Sequence, residues 1–339
     1  MQTTNAEVFE ILGNSGAATL KFTLSSQNTN QVNEVGIFRL DANNQVNGFA
    51  PGNSGFAQAA LKKGEVIFSA LADNLLAGVS LTRNLQFGAG ERLGFYFISN
   101  GTADAALAKN DFSNVFFSIN QANNGNDYLQ VNQDNGIFNL AWEQGDDNSF
   151  DDLNMTVKLQ NTPLSLQNLI GNFQGQQEGE LINLETFTGR DVKATLTLKR
   201  EAAFENFVGF YKVENTQGTI TDPFTGAKLN PSDGAAYAEL AIRLREPGIE
   251  LGVNNLTTLT VEKTFQGGYL YAPFLIANGN PNNLNGNFSQ VYSPFIQGNS
   301  DKSDHIRLLA DNVFGFEDLS SGGDNDFNDI IIQANFTVV

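Results

Sequence analysis

Acidic side chains and glycines are concentrated between Phe314 and Val339, near the end of the chain. Glu317 and Asp318 come first, and residues 322–329 follow with the sequence Gly-Gly-Asp-Asn-Asp-Phe-Asn-Asp. Crowded carboxylates repel one another, and folded proteins offset the repulsion by solvation, by raised pKa values or by a bound cation. The β-branched run 330–332 directly afterwards is typical of a strand. The segment therefore predicts an oxygen-rich loop, held by a strand, of the kind that binds Ca²⁺.

Hard cations such as Ca²⁺ take about six to eight oxygen ligands, and carboxylates two or three residues apart in a turn can converge on one ion. The run from Asp324 imitates the start of an EF-hand loop, but Asp329 stands where that loop needs glycine and Asn335 where it needs a bidentate glutamate. We therefore expect a β-type site. Its candidate ligands are four chief residues followed by three in reserve: Glu317, Asp324, Asp326 and Asp329, then Asp318, Asn325 and Asn328.

The chain repeats itself with a period of about 175 residues, too long for a solenoid repeat. Three matched pairs of segments carry this observation: 33–40 with 206–213, 55–61 with 236–241, and 93–101 with 270–279. Segments in the same order at a nearly constant offset indicate an internal duplication. We therefore expect two homologous domains, 1–160 and 161–339, with a turn and tether over 160–168.

Short strands with turn clusters between them dominate both halves. Leu20 and Phe22 alternate with polar residues, and Ala194 and Leu196 do the same in the second half, which is the period-two pattern of a half-buried strand. The alanine-rich segments 55–61 and 236–241 predict one or two helical turns. The fold class expected is all-β, with two tandem homologous β-sandwich domains of jelly-roll or Greek-key type and a few short helices.

The duplication shows which acids recur in the first half. Glu143, Asp147 and Asp152 align with Glu317, Asp324 and Asp329, while Ser149 and Gln144 replace Asp326 and Asp318. We expect a weaker first metal site formed by Glu143, Asp147 and Asp152, with Asp146 and Asp151 nearby. Two alternatives remain open. The acids could form a solvated loop that serves solubility, or Asp147 and Asp324 could accept backbone hydrogen bonds in Asx-turns.

The net charge is -18 and the pI is near 4.3, which argues against nucleic acid and anionic membrane surfaces as partners. The chain has no cysteine, so disulfides and thiolate metal sites are excluded. No apolar run approaches the roughly 18 residues of a membrane span, and the first residues lack the basic and apolar regions of a secretory signal. We expect no membrane insertion. Either an export signal lies elsewhere, or the protein stays inside the cell.

The string 314–319, Phe-Gly-Phe-Glu-Asp-Leu, followed by the acidic run 322–329, resembles the signature of an uncharacterised domain family. That family occurs near the C-termini of secreted proteins of cyanobacteria and other bacteria. The segments 206–211 and 276–279 also resemble sequences that precede the signature there. The resemblance covers most of 175–339, and reaches 1–160 only through the duplication. It implies exported Ca²⁺-binding β-domains of surface or matrix proteins, often carried by a type I export system that leaves no visible N-terminal signal.

Little in the sequence favours catalysis. His305 is the only histidine, which nearly excludes hydrolase triads, and we expect it to be exposed or locally hydrogen-bonded. A single tryptophan is too few for the stacking platforms of a glycosidase cleft. We therefore expect no enzyme, but an extracellular or cell-surface structural protein, stabilised by Ca²⁺, that self-associates into a layer, sheath, fibre or matrix. The alternative is a Ca²⁺-dependent carbohydrate-binding adhesin with extracellular polysaccharide as its partner.

Overall fold

The structure is a computed structural model that describes residues 2–3, 7–12, 16–29, 31–71, 81–145, 147–160 and 180–339. The chain divides into two compact units, Met1–Leu164 and Ser165–Val339. The tether expected over 160–168 falls, except for Gln160, outside the described residues.

The first unit is built from short strands, with two helices in its described part. Its strands are β1 (Gln2–Thr3), β2 (Phe9–Glu10), β3 (Ala17–Gln27), β4 (Asn33–Leu40), β5 (Glu65–Leu71), β6 (Thr82–Gly88), β7 (Arg92–Ile98), β8 (Val115–Phe117), β9 (Leu129–Asp134), β10 (Ile137–Trp142) and β11 (Leu153–Gln160). Its helices are α1 (Phe56–Lys63) and α2 (Ala103–Lys109).

These strands form two antiparallel sheets. One has the order β1-β2-β7-β4-β5 with β8 also paired to β7, and the other has the order β6-β3-β11-β10-β9. Aromatic rings from both sheets meet in the core, where Phe9 and Phe95 lie 4.9 Å apart and Phe22 approaches Phe95 at 6.3 Å. Helix α1 packs on one sheet through Phe56, whose ring lies 5.9 Å from that of Phe38. The unit is therefore a two-layer sandwich with a helix against one sheet.

The second unit has the strands β12 (Ile182–Asn183), β13 (Asp191–Arg200), β14 (Phe207–Val213), β15 (Ile220–Thr221), β16 (Lys228–Leu229), β17 (Arg245–Leu251), β18 (Thr258–Gln266), β19 (Leu270–Ile276), β20 (Val291–Tyr292), β21 (Ile306–Ala310), β22 (Val313–Phe316) and β23 (Ile330–Val338). Helix α3 spans Ala235–Arg243.

The strand orders of the two units correspond. The second unit has one sheet ordered β12-β19-β14-β17, with β20 paired to β19, and another ordered β18-β13-β23-β22-β21. Each strand of these two sheets occupies the place of a first-unit strand, β1 has no counterpart, and β15 and β16 form an additional small hairpin. The two units also share a feature of the backbone, a glycine beneath a large aromatic ring. A Cβ on Gly36 would lie 2.2 Å from the Tyr96 ring, and one on Gly209 would lie 2.5 Å from Phe274, so both central strands need glycine where a large ring crosses them.

Burial alternates along the strands of the second sandwich as the sequence predicts. Ala194, Leu196 and Leu198 of β13 are almost fully buried, while the residues between them are partly exposed. They pack with residues of the opposite sheet such as Phe210 and Leu275 in one apolar cluster. This burial between facing sheets is the main apolar contribution to stability that a sandwich offers.

The predicted all-β sandwich fold is confirmed, and so are the short helices at 55–61 and 236–241, which are α1 and α3. Among the described residues, no helix is long and apolar enough to span a membrane.

Candidate metal centre

The acidic residues of the second unit lie in the connection between β22 and β23. These strands are antiparallel neighbours, and Phe316 at the end of β22 forms an isolated bridge with Asn328 just before β23. Both ends of the loop are therefore held together by the sheet. Glu317 leaves one strand where Asp329 enters the other, so acids distant in sequence converge at one end of the sandwich.

The loop has a tightly constrained backbone. Gly323 has a φ of +49°, and a Cβ there would lie 2.1 Å from Glu317 Oε1, so only glycine lets the backbone pass this carboxylate. Asn325 and Phe327 also have positive φ values, +60° and +52°. Phe327 is 2% exposed, and the Arg307 guanidinium lies 5.2 Å from its ring centre. The buried ring anchors a loop that would otherwise lie in solvent.

Two overlapping groups of carboxylates result. Glu317, Asp324 and Asp326 offer oxygens that all lie within 4.8 Å of one another, and so do Glu317, Asp318 and Asp329. Glu317 belongs to both groups and joins them. Five of the seven predicted second-unit ligands are therefore brought together as groups that could hold a metal ion, with oxygens as the only donor atoms.

Glu317 is the carboxylate of the cluster whose burial most needs to be offset. Its side chain is 1% exposed. Oε1 accepts a hydrogen bond of 3.3 Å from the Leu319 amide, whereas Oε2 has no hydrogen-bond partner among the described residues. A buried carboxylate oxygen without a partner destabilises the folded state unless the group is protonated or faces a cation.

The raised pKa values of the cluster also indicate that its carboxylates require a proton or a cation. Burial, together with the charge of Asp329, raises the pKa of Glu317 to about 9. Burial and the charge of Asp324 raise the pKa of Asp326 to about 6. Burial also raises the pKa of Asp329 to about 7, although the Asp318 amide opposes this rise. Without a cation, the cluster therefore retains protons at neutral pH.

The two asparagines of the loop position its acids. The Asn328 amide nitrogen donates to Asp326 Oδ1 at 3.1 Å, and its side chain donates to Asp326 Oδ2. The Asn325 side-chain oxygen would lie 2.7 Å from a Cβ on Gly322, so it packs against the turn before the acids. This Asx-turn arises at Asp326, one of the chief predicted ligands, and not at Asp324, where the sequence left that alternative open.

Asp318 connects the cluster to the rest of the unit. Its carboxylate is 4% exposed and accepts a hydrogen bond of 2.6 Å from Asn206 Nδ2, while its amide donates to Asp329 Oδ2 at 2.7 Å. Asn206 in turn accepts from the Asn278 amide at 3.1 Å. Sequence reasoning noticed Asn206 and Asn278 only as part of repeated segments, and their contact with the acids appears only in the fold.

His305 supports the cluster from beneath. It is fully buried and locally hydrogen-bonded, which is the second of the two situations expected for it. One ring nitrogen lies 2.8 Å from the Glu317 carbonyl oxygen and the other 3.0 Å from Asp301 Oδ2. Tyr292 stacks on the imidazole at 3.5 Å. Asp301 also accepts from the Ser321 amide at 2.7 Å, so this network fixes both the strand end and the turn of the acidic loop.

The first unit builds the same loop differently. Phe150 has a φ of +52°, matching Phe327, and the Gln144 amide donates to Asp152 Oδ2 at 2.7 Å, as the Asp318 amide does to Asp329. However, Glu143 accepts backbone hydrogen bonds on both oxygens, at 2.7 Å from Gly145 and 3.1 Å from Phe150. The buried carboxylate of this loop is therefore satisfied by amides.

Two of the remaining first-unit acids, Asp147 and Asp152, lie close enough to Glu143 to interact with its side chain. Asp147 accepts from the Ser149 amide at 2.9 Å in an Asx-turn, and Asp151 accepts from the Ser149 hydroxyl at 2.5 Å. Asp146 lies outside the described residues. Within the described part of this unit, no three acids come together as those of the second unit do. The weaker first site remains a prediction.

Comparison with known proteins identifies one segment. A domain of unknown function (DUF4114) is found at residues 265–337, which include the whole acidic loop. No curated protein matches the chain. Among solved structures, the chain is similar to the N-terminal CBM22-1-CBM22-2 tandem domain from Paenibacillus barcinonensis Xyn10C, with 7% identity over 98% of this chain and 79% of that chain, and a TM-score of 0.22.

Proposed function

We propose that the second unit binds Ca²⁺ through Glu317, Asp324, Asp326 and Asp329, with Asp318 as a further ligand. The observation that carries this proposal is Glu317 Oε2, a buried carboxylate oxygen that has no hydrogen-bond partner among the described residues and belongs to a side chain set among carboxylates within 4.8 Å. A divalent cation there would replace the retained protons and offset the mutual repulsion of the acids.

The donor set favours Ca²⁺ over other common cations. All candidate ligands offer oxygen, the chain has no cysteine, and both ring nitrogens of its one histidine are engaged by Glu317 and Asp301. Zinc prefers nitrogen and sulfur ligands. Mg²⁺ demands near-octahedral geometry and retains several waters, whereas Ca²⁺ accepts many carboxylates in flexible geometry.

Isothermal titration with Ca²⁺ tests the site directly. Glu317→Gln removes the charge of the shared ligand, and we expect it to weaken binding at least tenfold. The matched control is Glu143→Gln, because Glu143 holds the corresponding place in the first unit with both oxygens satisfied by amides. If Glu317→Gln fails to fold, Asp326→Asn, at a half-buried position, replaces it in the titration. Equal Ca²⁺ affinity in wild type and in the folded second-unit variants would contradict the proposal.

The role we propose for this metal is stabilisation of an exported structural protein of a cell surface or extracellular matrix. Three features support that role: a net charge of -18, the absence of cysteine and the resemblance of the acidic loop to a signature of secreted proteins. Bound Ca²⁺ would fix the loop that joins two neighbouring strands, and so would strengthen one end of the sandwich outside the cell, where Ca²⁺ is abundant.

Self-association through strand β18 is the mode of assembly we propose. This strand lies at the edge of its sheet, pairs there with β13, and is exposed along most of its length. Unpaired backbone groups of an edge strand can add a strand from another chain. Lys263, which donates to the Gly248 carbonyl, is the kind of charge that limits such pairing.

Light scattering over a range of concentrations, with Ca²⁺ and with chelator, tests assembly. We expect association in Ca²⁺, and we expect Thr260→Lys in β18 to reduce it by adding charge to the edge. Thr82→Lys, on the corresponding first-unit edge strand β6, is the control and should leave association unchanged. A protein that stays monomeric at high concentration in Ca²⁺ would contradict self-association.

A Ca²⁺-dependent carbohydrate-binding adhesin is the second candidate. The observation that favours it is an open cleft of about 450 Å³ in the second unit, whose lining combines amide and hydroxyl side chains with charged and apolar ones. Sheets or filaments in negative-stain images of pure protein would favour the structural role. Retention on immobilised polysaccharide without assembly would favour the adhesin.

A further inference from the structure

The cleft in the second unit lies where the end of β13 meets the loops before β14 and β18. Its volume of about 450 Å³ is within the range of small-molecule sites. Its lining includes Arg200, Asn254, Thr258 and Leu259, and one acid, the exposed Glu205. None of these belongs to the acidic groups of the metal centre. No sequence motif predicts a site at this place, because its residues come from four separate segments of the chain.

Arg200 is the feature of the cleft that points to a ligand. The residue is 9% exposed, and its Nε is buried without an acceptor among the described residues. Its backbone is fixed on both sides, because it pairs with Ile330 of β23 and its carbonyl accepts the Leu256 amide at 2.9 Å. A buried guanidinium donor without an acceptor is costly, and a carboxylate is the group that matches the guanidinium fork with two parallel hydrogen bonds.

The other residues that line the cleft indicate which kind of molecule would carry this carboxylate. Asn254 and Thr258 are exposed and present amide and hydroxyl groups to the cleft. Leu259 is 40% exposed and Phe207 is half-buried, so apolar surface lies beside these polar groups. Hydroxyl groups with an apolar ring face, attached to a carboxylate, are the features of a sugar acid. We propose that this cleft binds a carboxylated saccharide, with Arg200 holding the carboxylate.

The corresponding position in the first unit has a different chemistry. Gln27 pairs with Leu153 at the start of β11, as Arg200 pairs with Ile330 at the start of β23. Gln27 is neutral, and its side-chain amide donates to the Leu71 carbonyl at 2.8 Å. Gln27 Oε1 is buried without a partner among the described residues, but it is an acceptor and carries no charge. At this position the guanidinium charge is therefore specific to the second unit, and we expect a single site.

The cleft borders the metal centre but contains none of its candidate ligands. Asn206 lines the cleft and also donates to Asp318, and the Glu201 amide donates to the Asp329 carbonyl at 3.1 Å. Bound Ca²⁺ would lower the negative charge near an anionic ligand and so would strengthen its binding. Recognition by Arg200 is a separate claim, since its guanidinium belongs to neither acidic group.

Isothermal titration with trigalacturonate, using the full chain in Ca²⁺ and again in chelator, tests the proposal. We expect binding in Ca²⁺, at least tenfold weaker binding of neutral cellotriose, and a loss of at least tenfold in Arg200→Gln, which copies the first-unit residue. Arg200→Lys keeps the charge but loses the fork, and should also weaken binding. Arg190→Gln, at an exposed arginine of the same unit, is the control and should bind as wild type does.

Three outcomes would overturn the proposal: no binding of trigalacturonate, equal binding of cellotriose, or unchanged affinity in folded Arg200→Gln. If that variant does not fold, the titration is repeated with Asn254→Ala at the exposed rim. Unchanged affinity in this variant would overturn the proposal as well. The Ca²⁺ titration of Glu317→Gln is independent, so failure of the cleft and failure of the metal site are distinguishable.

Discussion

A single carboxylate distinguishes the two acidic loops. Glu317 and Glu143 both follow the end of a strand and are both buried, at 1% and 3% exposure. Amides satisfy both oxygens of Glu143, whereas one oxygen of Glu317 has no hydrogen-bond partner among the described residues. The same position in a duplicated loop can therefore be a structural hydrogen-bond acceptor in one unit and a candidate metal ligand in the other.

Asp329→Asn should remove most of the stabilisation that Ca²⁺ gives, because it deletes one charge while the Asp318 amide can still donate to the side-chain oxygen. Asp152→Asn is a matched control, since Asp152 accepts the Gln144 amide at the same 2.7 Å. Thermal melts with Ca²⁺ and with chelator measure both. An equal loss in the two variants would mean that the change acts on the hydrogen bond and not on a metal.

Gly323→Ala should disrupt the loop more than its backbone strain alone predicts, because the new Cβ would lie 2.1 Å from Glu317 Oε1. Gly286→Ala provides the comparison: its φ is +80°, but a Cβ there has nothing within 4 Å. We expect Ca²⁺ affinity to fall at least tenfold in the first variant and to stay unchanged in the second. Titration calorimetry on both, with a melt to confirm folding, would show whether the close approach matters.

At this scale the sequence predicted the ligands but not their supports. Acids spaced two or three residues apart are recognisable in the sequence, and five of the seven second-unit candidates form the two groups. Asn206 contacts Asp318 across 112 residues of sequence, and Asp301 reaches the Ser321 amide across 20. Such pairs depend on which strands become neighbours, which a local pattern does not encode.

Among the elements, the connection between β22 and β23 links the charge of the acids to the stability of the sheet. Glu317, Asp326 and Asp329 have pKa values raised to about 9, 6 and 7. An acid whose pKa is higher in the folded state retains its proton after the unfolded chain has lost it. Folding then becomes less favourable as pH rises above the ordinary carboxyl pKa, until the folded pKa is passed.

Without Ca²⁺, the stability of the second unit should therefore fall as pH rises from about 4.5 to about 9. Bound Ca²⁺ takes the place of the protons, so it should reduce this fall, and Ca²⁺ affinity should rise over the same pH range. Denaturant melts at several pH values, with Ca²⁺ and with chelator, measure this dependence. A flat or rising stability in chelator would contradict the charge state described for the loop.

The elements themselves were largely predictable. Period-two alternation located β3 and β13, and alanine-rich runs located α1 and α3, because both patterns reflect which side chains face the core. The hairpin of β15 and β16 and the helix α2 were not predicted. The hairpin strands are only two residues long, and α2 has only Ala103 buried, so neither has an apolar periodicity to detect.

On the scale of the whole molecule, two units with corresponding strand orders carry different loops. Trp142 is the one tryptophan, is fully buried in the first unit, and stacks on Phe97 at 5.7 Å. Its fluorescence therefore reports the unfolding of the first unit alone. Calorimetry detects both units, so the two methods together separate the effect of Ca²⁺ on each.

The most direct measurement of the central claim is differential scanning calorimetry of the full chain with excess Ca²⁺ and with chelator, alongside Trp142 fluorescence. A ligand at about 100 times its Kd adds roughly 2.7 kcal/mol, which raises the midpoint of a domain this size by roughly 5 to 10 °C. We predict such a rise in a calorimetric transition that the tryptophan does not report, and its loss in Glu317→Gln. The same midpoints in Ca²⁺ and in chelator would contradict a metal site in the second unit.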